Sequence, residues 1–378
     1  MKFIPAIHPN TTWTHEHASV AMLEHLIKAN DLWPSFDAWG LSAADVHFIQ
    51  ELIIGARSKA PIGWNWVGRG QKTYLYDIVA NASSGIDVDK FDYFSRDCMF
   101  LGISKSFDAL RLMRFSQVVH EVEGCLRVCF RDKEAWNCYE LFHTRFMLHR
   151  RAYQHRVSTV IELMLCEAMV KADPHIKLMG KDGQQLQLSE SIHDMVAYGR
   201  CSDYLLRVVE NSSDPELGEA RAILHRIRVR DLYRFVGEVP GGLLSKEEVL
   251  DGLMAELQFL GSSLPKADML SAKAVVNYGQ GSGNPVEKVI FYNPRAMKKQ
   301  DSISHAGSAS EAVGMKRKED VSGVLPHQFE ERWIRVWCRS NGKNTLLSEA
   351  WHRFCSKKQL TQELSPVKNS LGKRSRGD

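Results

Sequence analysis

At 378 residues with 44% apolar content, the chain is long enough to bury one large core or two smaller ones. Lys and Arg number 49 against 45 Asp and Glu, and a net charge of +4 excludes a chain coated in nucleic acid, so any basic surface is local. Eight cysteines without a CxxC pair, and no signal-like or membrane-length apolar run, predict an intracellular, soluble protein with reduced thiols.

The first dozen residues, with Pro5, Pro9 and Asn10, read as loop. Thr14 then caps a helix through His15, Val20, Leu23 and Ile27, whose apolar positions keep the helical period. A histidine in a first turn is more often a capping or surface residue than a catalyst. Residues 41–54 read as a second helix capped by Ser42, and residues 60–70 as a Gly/Pro/Trp loop. Trp64 and Trp66 there suit base stacking or plain packing. Residues 74–80 start a helix that runs through the acidic stretch Gly85-Ile-Asp-Val-Asp-Lys-Phe-Asp-Tyr-Phe-Ser-Arg-Asp97 and on to Val119. Cys125 to Arg131 alternates as a strand after the turn at Glu123-Gly124 and predicts a hairpin.

Residues 136–172 give the longest continuous helical signal, followed by helices at 190–198, 203–211 and 215–229. Arg226, Arg228, Arg230 and Arg234 form a basic cluster that is either a solvated face or a phosphate site. Beyond Val239-Pro-Gly-Gly242 the segments shorten. A helix at 247–259, strands at 274–278, 286–292 and 332–338 and a helix at 345–355 describe a small α/β lobe, with a Ser/Lys-rich, mobile insertion at 298–320. The tail 361–378 lacks apolar periodicity and reads as disordered. It holds Ser365-Pro366, the form of a proline-directed phosphorylation site, and the short basic run Lys373 to Arg376.

Two patterns carry chemistry. Asp89, Tyr93 and Asp97 are spaced by four and make an acidic stripe on a helix, and Phe91 and Phe94 can anchor that helix in a core. Arg145, His149 and Tyr153 repeat the spacing as a basic stripe, with Gln154 beside them. Facing one another, they suit a metal bound to a polyphosphate; the plain alternative is two solvated faces with ion pairs along each helix.

The acidic stretch, with Phe142-His-Thr-Arg-Phe-Met-Leu-His-Arg-Arg-Ala-Tyr-Gln-His155, closely resembles the vertebrate SAM- and HD-domain-containing deoxynucleoside triphosphate triphosphohydrolases. Trp13-Thr-His-Glu-His-Ala-Ser-Val20 and Arg230-Asp-Leu-Tyr-Arg-Phe-Val-Gly-Glu238 extend the resemblance over most of the chain. It implies a mainly α fold: a partial HD-domain-like helical body over residues 1–240 and a small α/β C-terminal lobe over 241–360. The implied activity is hydrolysis of a dNTP to deoxynucleoside and triphosphate, controlling dNTP pools and serving antiviral defence.

The resemblance also implies site roles. His15 is the catalytic histidine and Asp89 the last metal ligand, for a divalent ion that is Zn, Fe, Mn or Mg. Lys90, Tyr93 and Arg145 contact phosphate; Asp97 holds the sugar 3'-hydroxyl; Tyr153 packs on the deoxyribose; His149 and Gln154 complete the wall. Arg111, Arg131, Lys133, His155, Arg156, Arg230 and Arg234 clamp the triphosphates of GTP and dNTP activators between subunits of a homotetramer. Single-stranded nucleic acid is a further candidate partner, a membrane is not, and the tail points to the nucleus, with the cytoplasm as a second compartment. His17 stands where the family carries Gln, and Gly283 where it carries Lys. The family's His-Asp doublet has no counterpart in order, since His193-Asp194 falls late, so the remaining metal ligands and the SAM domain are expected upstream of Met1. On this reading the chain alone is inactive. The alternative is a non-catalytic, oligomerising regulator that binds nucleotide or single-stranded nucleic acid.

Overall fold

A computed structural model describes residues 2–55, 66–70, 72–120, 126–242, 244–297, 313–340 and 344–360. Trp64, Cys125, Ser365, the basic tail and most of the 298–320 insertion lie outside the described residues. The chain is mainly helical and divides into two compact units. The division is not a single cut near residue 240: Met1–Asp231 is joined by Val276–Glu330, and Leu232–Val275 by Glu331–Asp378. The lobe expected to be continuous from 241 therefore gives one of its segments back to the helical body. No helix among the described residues is long and apolar enough to cross a membrane.

In the first unit, His15–Ala29 starts where Thr14 accepts a hydrogen bond from the His17 backbone N–H. It packs on Ala43–Ile54, which Ser42 and Asp45 open with a capping box, and Gln50 Nε2 donates to Glu24 Oε1 between them at 2.8 Å. The acidic stretch is the helix Val88–Leu101, capped by Asp87 and closed by Gly102 in the left-handed conformation at φ 62°. Phe94 is fully buried with Phe107, Leu112, Leu141 and Phe142, while Phe91 is only half-buried against Phe107. One apolar anchor and one partner on the rim fix the rotation of the helix, and that sets which face Asp89, Tyr93 and Asp97 occupy.

Four helical expectations give way to local chemistry. Thr73–Asp77 is a short 3-10 turn, because Asn81 diverts the chain by accepting the Ser83 and Ser84 backbone N–H groups at 3.0 Å each. Residues 116–120, expected at the end of a helix, form the strand Ser116–His120 paired antiparallel to Leu126–Arg131, with Val118 opposite Val128. Cross-strand pairing of β-branched residues prevails there over the helical reading. The hairpin continues into a sheet through Ile290–Tyr292, parallel to Leu126–Arg131, and Val313–Met315. The long 136–172 signal is two helices, Ala135–Leu148 and Arg156–Ala172, separated by a π-turn at His149–Tyr153. Finally, 190–198 is a 3-10 turn, Ser189–His193, followed by the short helix Met195–Tyr198.

The second unit is a three-stranded sheet carrying two helices. Its middle strand, Glu330–Cys338, pairs antiparallel with Arg234–Pro240 on one side and neighbours Met269–Asn277 on the other. The Arg234–Pro240 strand falls in a segment that the sequence patterns left unassigned to strand. Lys246–Phe259 and Asn344–Lys357 pack together and bury Leu253, Leu257, Leu347, Trp351 and Phe354 with Val336 of the sheet.

Candidate functional site

The Val88–Leu101 and Ala135–Leu148 helices pack against each other, and the two stripes meet there. The phenol of Tyr153 donates to the Asp97 carboxylate in a short hydrogen bond. Tyr93 and Arg145 lie close enough to act on each other electrostatically, as do Arg145 and His149. The His149 ring meets the Tyr153 ring edge-on at 5.0 Å, and Gln154 Nε2 lies 3.5 Å from His149 Nδ1. The π-turn creates this arrangement. Its wide i to i+5 closure, in which Gln154 N–H donates to the His149 carbonyl at 2.7 Å, carries Tyr153 out of simple helical register and onto Asp97.

Burial governs the protonation of this cluster. It pushes the Tyr93 phenol up to about 12 against the opposing pull of Arg145, and raises the Tyr153 phenol well above its ordinary value, with the Asp97 hydrogen bond adding to it. Both are therefore hydroxyl donors at neutral pH. Burial lowers His149 to about 4, helped by the Arg145 charge, so its ring is neutral at physiological pH. Burial also lowers Arg145, with Tyr93 opposing, yet a guanidinium so basic stays charged. The result is one fixed cation, two phenols and one carboxylate in a half-buried cluster, a set that can grip an anionic group and accept from a hydroxyl.

His149 sets a pH dependence. Its folded-state pKa lies below the unfolded value, so the unfolded chain binds more protons between about 6.5 and about 4, and stability falls as pH falls through that window. We expect His149→Gln to remove a share of that acid loss worth about 1–2 kcal/mol, after allowance for the partly open ring. Urea titrations of both proteins at pH 7 and pH 4.5 read it out, and parallel losses would refute it.

Other residues singled out from sequence lie elsewhere or are engaged. Lys90 pairs with Asp87 at 2.9 Å. His15 is exposed, and its Nδ1 lies 3.1 Å from Glu16 Oε2 rather than against a stripe residue. Asp89 is exposed at the first turn of its helix, within electrostatic reach of Tyr93. Among the described residues, no three His, Cys, Asp or Glu side chains gather as a metal site. The neighbouring carboxylate Asp87 is occupied as a helix cap and ion-pair partner, so the described residues do not fit a divalent ion. His193-Asp194 offers no substitute. Asp194 accepts from the backbone N–H groups of Lys181, Val196 and Ala197, each at 2.9 Å, and from Gln184 at 3.0 Å. These hydrogen bonds, that from Ala197 first, hold its carboxyl below the usual range. Asp194→Ala should cost about 1–2 kcal/mol as the loss of a cap, most of it at neutral pH and little below the carboxyl's own titration. Calorimetry at pH 7 and pH 3 checks it; an equal loss at both would contradict the capping role.

Among the basic residues, Arg111 and Arg131 share the Phe115 ring at 5.2 and 5.5 Å, and Arg111 is bound by the fully buried Glu134, with Nε 2.9 Å from Oε2 and Nη2 2.7 Å from Oε1. Exposed Lys133 follows them on the adjoining turn. His155 caps Arg156–Ala172 by accepting Val157 N–H at 3.3 Å, with Arg156 half-buried beside it. Arg230 is exposed at positive φ in the first unit, and Arg234 is exposed at the start of a strand in the second.

Sequence reasoning missed Asn277 and Glu330. Arg145 Nη1 donates to both the carbonyl and the Oδ1 of Asn277, the latter at 2.9 Å, and Asn277 Nδ2 donates to Glu330 Oε2 at 3.1 Å. The signal was only Asn-Tyr-Gly at the end of a strand. A separate cavity of about 300 Å³ opens between the start of Val88–Leu101 and the hairpin, lined by Ile78, Val88, Phe91, Val118 and Phe130, and no residue of either stripe lines it.

The chain matches no family model. It is 37% identical to human deoxynucleoside triphosphate triphosphohydrolase SAMHD1 over 376 residues, which are 96% of this chain and 58% of the human protein. To the Danio rerio protein of that name it is 38% identical over 389 residues, covering 97% of this chain and 60% of the relative. To the Dictyostelium discoideum SAMHD1 homolog it is 32% identical over 362 residues, covering 94% and 61%. Along nearly all of its own length, then, this chain is homologous to the SAMHD1 family of deoxynucleoside triphosphate triphosphohydrolases, and it spans about three fifths of the length of those relatives.

Proposed function

We propose that the chain binds deoxynucleoside triphosphates and forms the phosphate- and sugar-facing part of a site that hydrolyses them to deoxynucleoside and triphosphate. The observation that carries this reading is the Tyr153–Asp97 pair set beside the desolvated Arg145 on facing helices. Arg145 and the Tyr93 hydroxyl supply donors for phosphate oxygens. Asp97 accepts from a sugar hydroxyl once Tyr153 yields, and the Tyr153 ring offers the sugar an apolar neighbour. Water attack at the α-phosphorus calls for a metal ion. The described residues do not assemble one, so Asp89 would serve as a single ligand within a larger set. Equilibrium dialysis of the purified chain with dGTP and with deoxyguanosine, alongside metal analysis, tests the reading. Binding of dGTP that is lost in Asp97→Ala supports it; no dGTP binding by folded wild-type protein refutes it.

A second reading, a nucleotide-responsive oligomerising regulator, is favoured by Arg111 and Arg131 on one ring. Two cations so close repel unless anions neutralise them, and buried Glu134 engages only one. A triphosphate shared between copies would complete the neutralisation, as an activating GTP or dNTP would in a homotetramer. Light scattering should show a rise in mass on adding dGTP, absent in Arg131→Ala. Unchanged mass for wild type would retire this reading.

A further inference from the structure

We propose that Asn277, held by Glu330, is the positioning residue that presents Arg145 to a triphosphate with its positive charge uncompensated. The inference rests on the nucleotide-binding reading of the Arg145 cleft and deepens it.

Asn277 is the last residue of the strand Met269–Asn277, and Glu330 is the first of its neighbour, Glu330–Cys338. The amide of Asn277 has one orientation consistent with its surroundings. Nδ2 donates to the Glu330 carboxylate at 3.1 Å, which accepts only, and Oδ1 faces two donors, Gly279 N–H and Arg145 Nη1, each at 2.9 Å. The Asn277 carbonyl takes a further hydrogen bond from the same Nη1. One nitrogen of the fork is thus tied by two neutral oxygens. A guanidinium has five donors, so Nε and Nη2 are left for the cleft.

The backbone keeps this clamp close. Gly279 lies at φ +106°, which side-chain-bearing residues rarely adopt, and its α-carbon packs on the Arg145 stem: a Cβ there would meet Arg145 Cδ at 3.5 Å and Phe142 Cδ1 at 3.7 Å. Tyr278, between them, stacks on Phe146 at 4.9 Å and donates its backbone N–H to the Phe329 carbonyl at 3.1 Å. The segment therefore cannot drift from the helix that bears Arg145.

The choice of an amide is the point. A carboxylate at 277 would grip Arg145 more strongly, but would neutralise the charge that a triphosphate needs and would face Glu330 as a like charge. The neutral amide fixes the guanidinium without competing for it, and the Glu330 carboxylate meets the amide nitrogen, one residue removed from the cation. Pre-organisation of this kind strengthens binding by removing the cost of ordering a long side chain.

The test uses the full chain in magnesium buffer, with dGTP and deoxyguanosine as ligands followed by calorimetry, and circular dichroism to verify folding. Asn277→Asp should weaken dGTP binding about tenfold or more and leave deoxyguanosine unchanged. Asn277→Ser, which keeps a neutral acceptor but gives up the amide that Glu330 holds, should weaken dGTP binding by a smaller factor than Asn277→Asp does and leave deoxyguanosine unchanged. The double variant Asn277→Asp/Glu330→Gln separates the charge argument from simple bracing. It restores a hydrogen bond between the two strand ends while leaving a carboxylate on Arg145, so dGTP binding should stay weak. Recovery of dGTP binding in the double variant would overturn the proposal, as would equal weakening of both ligands in Asn277→Asp or wild-type affinity in that variant. No dGTP binding by wild type would instead overturn the function reading and this role with it.

Discussion

Arg145→Ala is expected to weaken dGTP binding by about 2–4 kcal/mol, roughly 30- to 1000-fold, while deoxyguanosine binds as before. Arg145 is the cation that burial has stripped of much of its water in this cleft, and a desolvated guanidinium meets phosphate oxygens in charge-assisted hydrogen bonds that are stronger than those of an exposed one. Its neighbours cannot take over. His149 is neutral at physiological pH because burial and Arg145 hold it near 4, and Tyr93 offers a hydroxyl without charge. The fold should tolerate the change. Asn277 Oδ1 retains the Gly279 N–H and its Nδ2 retains Glu330, so on that side only the backbone carbonyl of half-buried Asn277 loses the hydrogen bond that Arg145 gave it. Arg145→Lys should recover only part of the loss, since an ammonium cannot both hold Asn277 and present a planar fork. Calorimetric titration of the three proteins decides it; undiminished dGTP affinity in Arg145→Ala would remove Arg145 from the phosphate site.

The legibility of this cleft in the sequence followed the range of the interactions that build it. The helix Val88–Leu101 could be read because its signals are local: a capping carboxylate at Asp87, acids at four-residue spacing, and a buried Phe94 off the stripe. The same period placed Arg145 correctly on its helix, but it could not show the π-turn that begins at His149 and brings Tyr153 to Asp97 across 56 positions. Asn277 was invisible for the same reason, lying 132 positions from the guanidinium it holds. The strand Ser116–His120 was mistaken for helix because its pairing partner, not its own composition, decides its state. At the fold level, the mainly helical body with a small α/β unit was readable from periodicity. The return of Val276–Glu330 to the first unit was not, because no linker-like composition marks either crossing. The resemblance named Asp89 as one metal ligand of a larger set, and among the described residues no three His, Cys, Asp or Glu side chains gather around it.

Trp351→Ala is expected to cost about 3–5 kcal/mol, the largest stability loss of any substitution considered. Trp351 is 1% exposed and packs with Val336, Leu253 and Phe354 in the core of the second unit. Its indole crowds the α-carbon of Gly237, beside the bulge that shifts the register between Phe235 and Gly237. A Cβ built on Gly237 would sit 2.3 Å from Trp351 Cε2 and Nε1, a distance that no packing adjustment of a few tenths of an ångström relieves. Gly237→Ala should therefore also destabilise, by about 1–3 kcal/mol through overpacking. The two effects oppose one another in space: one leaves a hole where the other inserts a methyl group. The double variant Gly237→Ala/Trp351→Ala should accordingly lose at least about 1 kcal/mol less than the sum of the single losses. Urea unfolding followed by far-ultraviolet circular dichroism supplies all four stabilities, and strict additivity would show that the glycine and the tryptophan do not share the contact described.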